Sequence, residues 1–328
     1  MYIHELSNTD VARLLRGPGV RARMGPFVFG MKTSLSQLVD PIHLLYANYP
    51  LEPEEDFIDF EVAVSPRSWR ERWLSRNASF IIDGEVPSFP SFERSLALPM
   101  FEWAVNWCVF TRPHQYLILH SAVVERNGHA VILPGQPGAG KSTLCAGLSL
   151  RGWRLLSDEV CVMRPPCIDL IPVPRPIGLK EESINVIRAF EPGVVMGPAT
   201  PGTRKGTVAH IQVDAKSVAA GQVSAKPRLI VFPSYRAGVG LSLEPISKAQ
   251  TLLRIAQDAF NFSVLGAQGF DNLAALVDAS DCFALTYSSM DQAIEKLNEL
   301  IELEPTQPKN EMTHHNNSGP RANAEVMA

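Results

Sequence analysis

Two hydrophobic periods alternate along this chain, and each change of period marks an expected element. In residues 57–64, Phe60, Val62 and Val64 recur at every second position, the spacing of a half-buried strand. Residues 27–31 and 79–83 are shorter apolar runs that also predict strands. Between the first two strands, residues 34–46 are helix-like, with Pro41 breaking or restarting the helix. Gly84 and a proline-rich turn follow the third strand. Residues 1–100 therefore predict a separate α/β unit. No motif in it carries chemistry, and it can bind a partner, make an oligomer contact or cover the neighbouring domain.

Helical spacing returns in residues 91–110, expected as one helix interrupted near Pro99. Trp103 and Trp107 lie four apart on it, share a face, and read as core. Residues 117–124 predict a strand, Asn127-Gly128 a tight hairpin turn, and residues 129–133 the returning strand. A helix over residues 143–150 puts Leu144 and Leu148 on its core side, and Gly152 stops it. Residues 154–160 predict a strand ending in two carboxylates, Asp158 and Glu159. Residues 165–206 are rich in proline and glycine and predict loops around a site, with Arg175, Lys180, Arg188, Arg204 and Lys205 spread through them. Strands at 207–213, 229–232 and 282–286 and a helix at 250–262 come next. Ser289 caps a last amphipathic helix through Ile294, Leu297 and Ile301. Residues 304–328 are polar and predict a disordered tail, in which His314-His315 is too thin for a metal site.

The stretch Gly135-Gln136-Pro137-Gly138-Ala139-Gly140-Lys141-Ser142 changes the picture from architecture to chemistry. It fits G-x-x-x-x-G-K-[ST] and sits between a predicted strand and a predicted helix that opens at Thr143. Glycines let backbone N–H groups converge on phosphate oxygens, and the helix N-terminus adds partial positive charge. Lys141 is expected to reach the β- and γ-phosphates and Ser142 to offer its hydroxyl to Mg²⁺. One helix and one strand separate this loop from Asp158 and Glu159. Neighbouring parallel strands of such a unit bring the acids to the sheet end that holds the phosphates.

Composition narrows the class. The chain has 328 residues, 45% hydrophobic and 20% charged, which suits a soluble globular protein of two domains or one large one. A formal charge of −4 argues against a nucleic-acid binder. Five scattered cysteines, with no C-x-x-C pair, read as thiols of a reducing compartment. No apolar run approaches the roughly 18 residues of a membrane span, and no signal-peptide pattern opens the chain, so a cytoplasmic setting away from membranes is expected.

Three segments occur in fixed order: Leu119-His120-Ser121-Ala122-Val123-Val124, the loop Gly135 to Ser142, and Arg151-Gly152-Trp153-Arg154-Leu155-Leu156-Ser157-Asp158-Glu159. Together they resemble the catalytic domain of the bacterial HPr serine kinase/phosphorylase family, with its L-H-G strand, G-x-x-G-x-G-K-S loop and R-G-H-R-L-x-A-D-D strand. Pro201-Gly202-Thr203-Arg204-Lys205-Gly206-Thr207-Val208-Ala209 is similar, more weakly, to the family's P-G-R-N-x-A-V element. The chain looks most like the HPr-kinase-related kinase A branch, which has been linked to clusters encoding peptide-modifying proteins.

The resemblance implies an α/β fold: a P-loop nucleotide-binding domain of the HPr kinase C-terminal type over residues 101–303, beside the smaller N-terminal α/β unit. It implies ATP and Mg²⁺, with nucleotide held by residues 135–143, including Lys141, Ser142 and Thr143. Asp158 takes the place of the general base, His120 that of its assistant, and Glu159 replaces a second aspartate near the metal beside Ser142. Arg204 or Lys205 falls where charge on the transferred phosphoryl group is stabilised. The family's E-x-R-G-x-G signature is not found; Pro174-Arg175-Pro176-Ile177-Gly178-Leu179-Lys180 stands in that region. The resemblance thus leaves open the reverse phosphorylase reaction and the identity of the acceptor.

The expected activity is transfer of the γ-phosphoryl group from ATP to a hydroxyl, a serine for preference, on a protein or peptide such as an HPr-like carrier or a modified-peptide precursor. A small-molecule kinase acting on free serine or a sugar, and a non-catalytic ATP-binding switch or scaffold, remain alternatives. A homo-oligomer stays open, without the hexamer of true HPr kinases, because the N-terminal unit differs from theirs.

Overall fold

The computed structural model of the chain describes residues 1–68, 70–71 and 75–303; the expected tail at 304–328 lies outside the described residues. The fold is α/β, as its residue pattern predicts, built from one five-stranded sheet, one six-stranded sheet and two three-stranded ones. Ser7 caps α1 (Asn8–Arg16) by accepting from the Asp10 N–H at 3.1 Å, and Val11 and Leu15 face inward. A hairpin of β1 (Val20–Met24) and β2 (Phe27–Thr33) follows, then α2 (Val39–Leu45), β3 (Phe60–Ser65), β4 (Asn77–Ile82) and the short β5 (Phe92–Glu93). These five strands lie in chain order, with β2 and β3 parallel and the other pairs antiparallel. Pro41 does not break a helix: α2 begins at Val39, so the proline sits in the first turn, where its missing N–H has no helical partner anyway.

The same physics corrects the next expected helix. It starts at Ala97, not in residues 91–96, and Pro99 lies in the first turn of α3 (Ala97–Thr111) without interrupting it. This helix crosses residue 100 and packs on β3 and β4. Its buried Glu102 receives the Tyr46 hydroxyl at 2.9 Å and lies 3.7 Å from the Arg175 guanidinium. Arg175 also donates to the Glu102 carbonyl at 3.2 Å, and Tyr49 donates to the Pro174 carbonyl at 2.8 Å. Arg175, one of the cations of the expected loops, is thus a buried partner joining α2, α3 and the 174–175 segment.

The expected strand at 117–124 is two strands in different sheets, β6 (Leu117–Leu119) and β7 (Ser121–Arg126), and the break falls at His120. The hairpin to β8 (His129–Pro134) turns at Asn127 and Gly128, with φ of 56° and 83°, which suits Asn-Gly. After α4 (Lys141–Leu150) come β9 (Arg154–Ser157) and β10 (Cys161–Met163). The expected strand 154–160 therefore ends at Ser157. Residues 165–206 are more regular than predicted, holding β11 (Leu170–Ile171), β12 (Ile177–Lys180), α5 (Glu182–Phe190) and β13 (Thr200–Thr203). The chain continues through β14 (Gly206–Ile211), α6 (Ala215–Ala219), β15 (Lys226–Tyr235), β16 (Ser242–Pro245), α7 (Lys248–Gln257), α8 (Phe262–Asp278), β17 (Asp281–Tyr287) and α9 (Met290–Glu302).

The six-stranded sheet runs β16-β17-β15-β8-β7-β9. Strands β8, β15 and β17 are parallel, and β7 lies antiparallel between β8 and β9. Strand β9 consequently points the same way as β8 without touching it, a correction to the expected neighbouring pair. Alternate residues of β8 serve two cores: Val131 and Leu133 face one, Ala130 and Ile132 the other. The second core is closed by Ile255 of α7 and Leu273, Leu276 and Val277 of α8. Both faces are covered, which is why the strand reads as a continuous apolar run. Among the described residues no helix is long and apolar enough to cross a membrane. The five cysteines are free thiols, four buried and Cys167 exposed.

Burial pushes the Glu102 carboxyl up to about 7 against the pull of Arg175. A carboxyl raised on folding stabilises the fold fully below its ordinary value of 4.5, and that contribution is lost as pH rises through about 7. We expect the thermal midpoint of the wild type to fall more steeply between about pH 5 and 8 than that of Glu102→Gln, as read by scanning calorimetry. Equal slopes would show that burial does not control this carboxyl.

Candidate functional site

Strand β8 delivers the chain to Gly135, and the loop turns through Gly135, Gly138 and Gly140 at φ of 139°, 89° and 93°. L side chains rarely adopt these angles, so glycine here is a backbone requirement. Helix α4 starts at Lys141 with no side-chain cap on Gly140, and its first-turn N–H groups point into the loop uncapped by any side chain. The loop is braced from the adjacent strands: the Tyr235 N–H at the end of β15 donates to the Ala139 carbonyl at 3.2 Å. A Cβ on Gly140 would come within 3.0 Å of the Tyr287 hydroxyl, at the end of β17.

Lys141 is buried and folds back, its Nζ donating to the Gly135 carbonyl and lying 3.5 Å from His120 Nε2. Burial lowers its pKa, although Glu159, Asp258 and Asp158 pull the other way. The His120 ring Nδ1 is 3.2 Å from the Glu159 carbonyl and 3.5 Å from the Glu159 carboxylate. Burial lowers the imidazole, Glu159 opposes this and Lys141 reinforces it, so the ring is neutral near pH 7. The His120 N–H donates to the Asp258 carbonyl at 2.8 Å, which fixes the break between β6 and β7.

Asp158, directly after β9, is 5% exposed. The Gly178 N–H donates to Oδ2 at 3.1 Å and Oδ1 is buried without a hydrogen-bond partner, while the nearby Ser142 hydroxyl favours the ionised carboxylate. Burial first and the Glu159 charge second push this carboxyl up to about 7, against the Ser142 and Gly178 hydrogen bonds and the charge of Lys180. The loop, Asp158, Glu159 and His120 thus meet at one sheet end. Ser142 and Glu159, expected to share a metal, face different partners, Asp158 and His120 respectively. Among the described residues no three His, Cys, Asp or Glu side chains are grouped to hold a metal ion. A Mg²⁺ ion, which takes few protein ligands and keeps phosphate oxygens and water, still fits a hydroxyl and two nearby carboxylates beside a glycine loop.

Arg204 is exposed in the turn between β13 and β14 and does not reach the carboxylates; it stands on the rim of a cavity of about 430 Å³ with Lys180 and Lys205. Lys180, lowered by burial and by Lys205, faces Asp158 and Glu159 from β12. The resemblance implies a place for Lys205, with Arg204, at the transferred phosphoryl group, whereas the sequence notes Lys180 only among the cations of the expected loops. Sequence reasoning misses His210 and Asp258 entirely. Their signal is long-range pairing, since His210 lies opposite Gly178 in β14 and Asp258 ends α7. A larger recess, about 620 Å³ beside α1 and α2, contains none of these groups.

The chain matches no protein-family model and no curated protein.

In ¹³C NMR of carboxyl-labelled protein, we expect one aspartate to titrate near pH 7, far above the ordinary 3.8, and its midpoint to move down in Glu159→Gln. A midpoint unmoved by that substitution would exclude charge coupling between the two acids.

Proposed function

We propose that the chain is an ATP-dependent phosphotransferase of the HPr serine kinase-like type, with a P-loop nucleotide domain, acting on a serine hydroxyl of a protein or peptide in the cytoplasm. The observation that carries this reading is the buried Asp158 carboxylate, with one oxygen unpartnered, against the Ser142 hydroxyl of an uncapped glycine loop. The resemblance of residues 119–124, 135–142 and 151–159 to that family supports it.

In this reading, loop N–H groups and the N-terminus of α4 hold the phosphates. Lys141 exchanges the Gly135 carbonyl for phosphate oxygens, and Ser142 and Glu159 are the residues that would hold Mg²⁺, which would supply positive charge to the phosphate oxygens. The acceptor oxygen forms a bond to the γ-phosphorus while the bond from that phosphorus to the β–γ bridging oxygen breaks, and ADP carries away the electron pair. Asp158 receives the acceptor proton on its free oxygen. Its raised pKa suits a base working near neutrality. Neutral His120 orients Glu159 and Lys141 beside it. Lys180 and Lys205 lie where charge on the transferred group is neutralised, a role expected of Arg204 or Lys205 from sequence. Most of the rate in such a transfer comes from positioning and charge stabilisation.

Asp158→Asn is expected to keep nucleotide affinity and to lose transfer from radiolabelled ATP by about 10²- to 10⁴-fold. Wild-type transfer in this variant would remove Asp158 as base. Lys141→Ala is expected to weaken nucleotide binding itself. ATP bound by the wild type with no phosphorylated product from any acceptor would favour the switch or scaffold alternative.

A further inference from the structure

The cavity of about 430 Å³ lies between the N-terminal sheet and the proposed catalytic carboxylates. Its wall is aromatic: Phe80 of β4 and Phe89 each pack against Trp103 of α3, with ring centroids 5.2 Å apart in both pairs. Trp103 packs against the core beside Trp107, as their spacing predicts, and being only partly buried it also lines this space. The floor is Glu159, Gly178 and His210. A Cβ placed on Gly178 would lie 3.8 Å from His210 Nε2 and 4.0 Å from Asp158 Oδ2, so imidazole and carboxylate flank one backbone position.

Three residues of the lining each carry a buried atom with no hydrogen-bond partner: Oε2 of Glu102, which is 3.7 Å from the Arg175 guanidinium, Oδ1 of Asn106, and Nδ1 of His210, a residue 7% exposed. Buried polar atoms are normally satisfied, and orphans on a cavity lining point to a ligand that completes them. Burial and Arg175 hold the His210 ring neutral, at about 3. A neutral imidazole and an amide oxygen are groups that backbone N–H and C=O can satisfy.

The recess does not stop at the carboxylates. A second cavity of about 350 Å³ shares Trp103, Asn106, Glu159 and Lys205 with the first and continues toward His120 and Phe260. Space on both sides of Glu159 suits an extended chain better than a compact alcohol.

We propose that this chamber is the acceptor subsite and that it takes an extended peptide with a large apolar or aromatic side chain beside the residue whose hydroxyl reacts. The proposal rests on the phosphotransferase reading above and gives the N-terminal unit its role: it supplies the wall that selects the acceptor.

The test compares two peptides, acetyl-Gly-Phe-Ser-Phe-Gly-amide and acetyl-Gly-Ala-Ser-Ala-Gly-amide, on the full chain. Binding is read by calorimetry with a non-hydrolysable ATP analogue and Mg²⁺, and transfer is read with radiolabelled ATP. The phenylalanine peptide is expected to bind about tenfold more tightly or better, as burial of one or two such side chains dictates. Phe89→Ala is expected to erase most of that preference while nucleotide affinity stays unchanged, which also reports that the variant is folded. Equal binding of the two peptides by the wild type overturns the proposal, whatever the variant does. Phosphorylation of 2-phenylethanol in preference to either peptide overturns the peptide class. Peptide preference without nucleotide binding would support the chamber while removing the phosphotransferase reading.

Discussion

Strand β7 runs antiparallel between β8 and β9, so the chain leaves β8 and β9 at the same edge of the sheet. The glycine loop continues from the first of these strands and Asp158 follows the second, so the carboxylate comes close enough to Ser142 of the loop for that hydroxyl to lower its pKa. Everything else at the site depends on that approach. It takes a carboxylate out of water, which is costly unless hydrogen bonds replace the water. The Gly178 N–H does so for Oδ2, while Oδ1 stays without a partner. Leaving a buried acceptor unsatisfied costs about 1–3 kcal/mol.

The N-terminal sheet is not a loose appendage to this arrangement. Helix α3 packs on β3 and β4 and, through Glu102, holds Arg175 just before β12, whose Gly178 and Lys180 face Asp158. Further ties run from Asn48 to the Val213 carbonyl at 2.7 Å and from Gln222 to the Gly25 carbonyl at 2.6 Å. At Gly25 the approach is so close that a Cβ would fall 1.8 Å from the Pro172 carbonyl oxygen. The aromatic wall of the chamber is therefore fixed to the same frame as the carboxylates.

Local chemistry was legible in the sequence wherever it determines structure by itself. Strand alternation at Phe60, Val62 and Val64, the Asn127-Gly128 turn, the glycine loop and the Ser289 cap all appear where the residues predict them. The strands broken at His120 and after Ser157 were not legible, because apolar runs do not reveal which sheet they join. Pro41 and Pro99 misled for a physical reason: proline stops a helix interior and is harmless in a first turn. Residues 165–206 read as loops because proline and glycine are breakers, while the register of β12, β13 and β14 depends on partners far along the chain. The site was legible in its contiguous parts. Lys180, His210 and Asp258 join it only through tertiary pairing, and Arg204, picked from a motif, lies at its rim.

The central claim is that the glycine loop holds a nucleotide whose terminal phosphate faces Asp158. A crystal structure with a non-hydrolysable ATP analogue and Mg²⁺ tests it most directly. The account requires phosphate oxygens on the N–H groups of the Gly135–Ser142 loop, Lys141 moved off the Gly135 carbonyl onto them, and the Asp158 carboxylate toward the terminal phosphate on the chamber side. Nucleotide bound elsewhere, or a terminal phosphate on the opposite side of the sheet from Asp158, would contradict it.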